Sequence, residues 1–167
     1  MTTRKITEMS LLTSLALILF VIELRVPNIV EGVKLGLANI VTVYAVYRYS
    51  AKETAMIVFA RVFLGSLFGG GISAMIYSLS GAFLCLVGMI GLRKIIPINY
   101  IWLSSVIGAM LHNIGQIAAA VVMTKSVAIV GYLPLLLVTG SIAGLFTGMS
   151  AQLIIKRKSC ISGKTGK

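Results

Sequence analysis

Three long stretches of this chain, residues 72–92, 101–123 and 130–155, carry no formal charge. Each exceeds the ~20 apolar residues that a helix needs to cross the hydrocarbon core of a bilayer. Lipid offers no partners for backbone polar groups, so a segment of this kind must satisfy them within itself, as a helix does. A membrane barrel would need alternating segments of about ten residues, and these runs are continuously apolar. The rest of the composition agrees. Hydrophobic residues make up 58% of the 167 and charged residues 11%, with four Glu and no Asp. That balance excludes a disordered chain, an ordinary soluble enzyme and a disulfide scaffold.

Three further apolar runs, at 6–24, 35–47 and 54–68, bring the expected number of spans to six. Six spans of ~20 residues are close to the most that this length can hold. The second and third are short, and are expected either to be extended at their ends or to sit inside the bundle. Gly69, Gly70 and Gly71 should separate the third from the fourth. The first run lacks a small-x-small cleavage site after it and is expected to remain as a span. The expected architecture is all-α: a single transmembrane domain over residues 1–158 and a basic flexible tail over 159–167. There is no internal repeat.

Orientation follows from the basic residues. With six spans and both termini in the cytoplasm, the inside holds Arg4, Lys5, Arg48, Lys52, Arg93, Lys94, Lys156, Arg157, Lys158, Lys164 and Lys167. The outside holds Arg25, Lys34 and Lys125, and Arg61 lies within a span. Eleven against three is a clear positive-inside bias, fitting a bacterial-type cytoplasmic membrane. The net charge of +11 is therefore read as membrane orientation, with lipid and not nucleic acid as the surrounding partner. Cys85 lies in an apolar run and Cys160 in the basic tail, so no disulfide is expected.

Polar residues inside the spans carry the functional information. Arg61 is the only formal charge well inside a span, and burying it is costly. It should face a partner, a cavity or water. Its sign favours an anionic ligand group, with a structural bond as the alternative. His112 is the single histidine. Ser104, Gly108, His112 and Gln116 stand four apart on one expected helix face, with Asn113 beside them. One His without Cys or Asp nearby makes no metal site, so the alternatives are an interhelical hydrogen bond or a ligand contact. Under the orientation above, Asn39, Arg61, Tyr77, His112, Asn113 and Gln116 lie between the midplane and the outer surface. The connection 23–34, with Glu23, Arg25, Glu31 and Lys34, lies over them as a lid. A pocket open to the exterior is expected, holding a small molecule and no cofactor. Gly140, Gly144 and Gly148, like Gly65 and Gly69, recur every fourth residue and should let helices approach closely.

Enzyme chemistry is not expected. There is no phosphate-binding GxxxxGK[ST] loop, no aspartate-rich site for a metal-bound diphosphate, and no nucleophile–base set.

Four stretches carry a family resemblance: GVKLGLANI at 32–40, RVFLGSLFG at 61–69, YSLSGA at 77–82 and GAMLHNIGQ at 108–116. Over roughly residues 6–155 the chain resembles the heptaprenyl diphosphate synthase component I family, also called the Gx transporter family. That family is similar in size and layout to the substrate-binding S components of energy-coupling factor importers. The resemblance implies an outward pocket for a vitamin-like or isoprenoid/quinone-related molecule, with a membrane coupling protein and ATPase subunits as partners. Lys34, Asn39, Arg61, Tyr77, His112, Asn113 and Gln116 would form the binding set. S components often carry Ala-x-x-x-Ala on span 1 for the coupling protein, and the nearest match here is Ser10 to Ser14. The synthase name implies a second role, as a non-catalytic membrane component of prenyl chain synthesis.

Overall fold

The computed structural model describes residues 2–25, 36–69 and 71–164. Among these residues there are six α-helices and no strand: α1 Thr3–Arg25, α2 Leu37–Arg48, α3 Ala51–Gly69, α4 Gly71–Leu92, α5 Ile101–Thr124 and α6 Leu133–Lys164. Short 3₁₀ turns, Ile98–Tyr100 and Val127–Tyr132, lead into α5 and α6. The chain is a helical membrane bundle. Four of its helical segments are long and apolar enough to cross a bilayer: Thr3–Glu23, Gly71–Leu92, Ile98–Thr124 and Val127–Arg157. Large apolar side chains on their outer faces, such as Leu11, Phe83, Ile142 and Phe146, are exposed. In water such faces would be adhesive; in lipid they are solvated.

The two short runs behave differently. α2 has 12 residues, about 18 Å at 1.5 Å per residue, and falls short of a hydrocarbon core of about 30 Å. It lies in the centre instead, with Val41 to Val46 all buried. α3 has 19 residues but carries Lys52, Glu53 and Arg61. It ends at Gly69, and α4 starts at Gly71 with φ +64°, a left-handed conformation that glycine adopts without strain. At the other terminus α6 continues to Lys164, six residues into the stretch expected to be a flexible tail.

Packing is most extensive between α5 and α6 and between α4 and α5. Glycines decide how close these pairs come. A Cβ on Gly148 would lie 2.6 Å from both Ser105 Cβ and Trp102 Cα, and one on Gly144 2.9 Å from Val106 Cα. On the α4 side, a Cβ on Gly115 would meet Ser80 O at 2.7 Å, and one on Gly81 would meet His112 O at 2.7 Å. The Ser80 hydroxyl donates to Gly115 O at 2.8 Å across that seam.

One end of the bundle is tied by a polar network. Lys5 Nζ donates to Glu53 Oε1 at 3.0 Å, and the Ser50 N–H donates to Glu53 Oε2 at 3.0 Å. Tyr49 OH donates to Glu8 Oε2 at 3.0 Å. Arg93 Nη1 donates to the carbonyls of Val46 at 2.6 Å and Tyr49 at 2.7 Å, satisfying acceptors that the end of α2 leaves unpaired. The Ser50 N–H, with Lys5 and the Ser50 hydroxyl, holds the Glu53 carboxyl down at about 2, against an ordinary 4.5. Ionised Glu53 therefore stabilises the fold above pH 4.5, and this contribution disappears as pH falls toward 2. Melting curves across that window should show wild type losing more stability on acidification than Glu53→Gln. Parallel curves would show that the network contributes nothing.

Candidate functional site

The opposite half of the bundle contains a cavity of about 170 Å³. An engineered apolar cavity of about 150 Å³ is enough to hold benzene, so this space suits a small organic molecule. All six helices contribute to its wall. Phe20 and Glu23 come from the end of α1, and Asn39, Thr42 and Val43 from α2. α3 supplies Arg61, Val62, Gly65 and Ser66; α4 supplies Ala74, Ser78, Cys85 and Met89. α5 brings Ser105, Ala109, His112, Asn113 and Gln116, and α6 brings Leu136, Thr139 and Thr147.

Arg61 is positioned by Asn39. Its Nη1 donates to Asn39 Oδ1 at 3.1 Å, between helices 22 residues apart in sequence. Among the described residues no carboxylate lies within 4.0 Å of the guanidinium, since the ion pairs are Arg4–Glu8 and Lys5–Glu53. Glu23 is buried and accepts a hydrogen bond from the Gly36 N–H at the start of α2. Gly36 holds φ 71°, which turns its N–H back toward α1. Asn113 Nδ2 donates to Leu136 O at 2.5 Å, across a contact that exists because Gly140 has no side chain: a Cβ there would sit 2.2 Å from Nδ2. Deeper in the cavity the Ser105 and Thr147 hydroxyls share a hydrogen bond of 3.1 Å.

Of the expected site residues, Asn39, Arg61, His112, Asn113 and Gln116 line this one cavity. Tyr77 does not. The inward stripe of α4 is Ala74, Ser78, Cys85 and Met89, and Tyr77 falls one residue, about 100°, away from it. Lys34 and the rest of the expected lid from residue 26 on lie outside the described residues. The α5 face also differs from the expected one. Ser105 and Ala109 face the cavity, whereas Ser104 is fully buried and Gly108 packs on Met89. Four-residue steps drift by about 40° each at 3.6 residues per turn, so Ser104 and Gln116 cannot share one narrow stripe. Glu23 reads in the sequence as the start of the polar lid; in the structure it is buried near the end of α1 and lines the cavity.

A family model described as heptaprenyl diphosphate synthase component I matches residues 12–154. The chain belongs to the heptaprenyl diphosphate synthase component I family. The family match takes in every residue named above as lining the cavity, from Phe20 to Thr147. By its description this family supplies one component of a multi-subunit system. No curated protein and no solved structure matches the chain.

Outside the cavity, a shallow groove runs between α1 and α3, lined by Ser10, Thr13, Ser14, Met56 and Ala60 among others. It contains Ser10 and Ser14, the nearest match in this chain to the Ala-x-x-x-Ala of S components.

Proposed function

We propose that this chain is the substrate-binding membrane subunit of an energy-coupling factor-type importer. It takes a small vitamin-like or isoprenoid/quinone-related molecule that bears an anionic group, and it carries out no catalysis. The observation that carries this reading is the cavity itself, into which Asn39, Arg61, His112, Asn113 and Gln116 converge from three helices. A guanidinium that, among the described residues, donates one hydrogen bond, to the Asn39 side-chain oxygen, is suited to gripping a carboxylate or phosphate with its other donors. In this reading both termini are cytoplasmic and the chain keeps a six-helix layout in a bacterial-type cytoplasmic membrane, with α2 too short to cross alone and held inside the bundle. The eleven-to-three distribution of basic residues supports that orientation. The cavity then opens toward the exterior, at the end of the bundle where Glu23 and Gly36 line it.

The α1–α3 groove is the docking place for the coupling protein in this scheme, because small side chains let a partner helix approach closely. Replacing Ser10 and Ser14 together with Leu should leave small-molecule binding intact and abolish recovery of the coupling protein. Unchanged recovery in a co-purification would remove the groove from the scheme.

A second reading is favoured by the family description: a non-catalytic membrane component of a heptaprenyl diphosphate synthase. The catalyst would then be a separate soluble subunit. A tagged pull-down from native membranes in mild detergent separates the two. Paired ATPases with a membrane coupling protein support the importer. A soluble prenyl synthase without ATPases supports the synthase component instead.

A further inference from the structure

The cavity contains two opposite charges that are not paired with one another. Arg61 spends one Nη1 donor on Asn39 Oδ1. Glu23, 6% exposed, spends one oxygen on the Gly36 N–H. Both line the same cavity, yet no ion pair within 4.0 Å joins them. Among the described residues each therefore keeps bonding capacity: a guanidinium has five donors, and a carboxylate about four acceptor sites. The same cavity wall also carries apolar residues, including Phe20, Val62 and Met89.

A simple anion in this space would satisfy Arg61 but be repelled by the Glu23 carboxylate, and a simple cation would meet the reverse. At low dielectric such repulsion is not screened away. We propose that the molecule held here is a small zwitterion: its anionic group lies on Arg61, its basic nitrogen on Glu23, and its apolar or aromatic body lies between. This rests on the reading of the cavity as a binding site and narrows the ligand class from anion to zwitterion.

The competing role for Glu23 is purely structural, as an acceptor for the start of α2. Glu23→Gln separates the two roles, because the amide oxygen still accepts from the Gly36 N–H while the charge is gone. Wild type, Glu23→Gln and Arg61→Gln would each be placed in lipid nanodiscs and exposed to the small-molecule extract of the expressing cells. After washing, released compounds would be identified by mass spectrometry, with a melting temperature recorded for each variant. Compounds enriched by wild type should carry both an anionic group and a basic nitrogen. Either substitution should lower that enrichment by about ten-fold or more, the scale of one charged hydrogen bond. A simple anion enriched equally by wild type and Glu23→Gln would overturn the zwitterion and leave the binding role standing. A wild-type protein that enriches nothing would overturn both. Where Glu23→Gln fails to fold, the charge of the compound released from wild type decides alone.

Discussion

Arg61→Ala is expected to yield a folded, membrane-inserted protein that no longer retains the compound released from wild type. Truncating one partner of a desolvated, hydrogen-bonded charge pair costs about 2–5 kcal/mol. At about 1.4 kcal/mol per ten-fold, that weakens binding by roughly 30-fold to several thousand-fold. The fold should survive because, among the described residues, Arg61 makes one hydrogen bond, to Asn39 Oδ1, and its removal leaves an amide that can be hydrated in the cavity. Arg61→Lys keeps the charge but loses the planar fork, so an intermediate affinity is expected. The readout is equilibrium binding in nanodiscs, with size-exclusion profiles as the check on folding. Undiminished binding by Arg61→Ala would remove Arg61 from the site.

The second large effect is structural. Gly148→Ala should destabilise the α5–α6 seam, and Gly148→Leu should abolish the monodisperse protein. The new Cβ would sit 2.6 Å from Trp102 Cα and 3.1 Å from Trp102 O, and neither backbone atom can rotate aside. Overpacking of this kind costs typically 1–3 kcal/mol, occasionally more. Distance alone is a poor guide to the penalty. A Cβ on Gly88 would come still closer to a neighbour, 2.1 Å from Leu111 Cδ1, but that atom ends a flexible side chain. Gly88→Ala should therefore be milder than Gly148→Ala, and Gly131→Ala, with nothing within 4 Å, should be silent. Thermal melts of the three variants in one detergent give the order; a Gly148→Ala protein as stable as Gly131→Ala would show that the seam is loose.

The helices of the apolar half were legible almost to the residue. The expected runs 72–92 and 101–123 correspond to α4 Gly71–Leu92 and α5 Ile101–Thr124. The run 130–155 corresponds less closely to α6, which starts at Leu133 after a 3₁₀ turn and continues to Lys164. Pro134 stands in the first turn of α6, where its missing N–H would have had no helical partner. The cavity lining was legible in type more than in place. Uncommon polar residues in apolar runs pointed to Asn39, Arg61, His112, Asn113 and Gln116, and the cavity gathers all five. Hydroxyls at Thr42, Ser66, Ser78, Ser105 and Thr147 also line it. They gave no signal, because Ser and Thr are ordinary anywhere in a membrane helix, where they bond back to the preceding turn. Ser150 and Thr139 do so here, to Phe146 O and Leu135 O.

By itself the sequence determined that this chain forms apolar helices and which polar residues lie among them. Both follow from the cost of unpaired backbone groups and buried charge in lipid. Only the tertiary structure decided which way each helix turns. Outward faces meet lipid and inward faces meet other helices, and both are apolar, so no hydrophobic stripe marks the direction of the core. Backbone contacts at Gly81, Gly115, Gly144 and Gly148 fix the relation of α5 to its neighbours instead. That rotation brings Ser105 inward and leaves Ser104 in the packing. In the same way the inward stripe of α4 presents Ser78 in place of Tyr77, and the end of α1 turns the Glu23 carboxylate into the cavity that Arg61 shares.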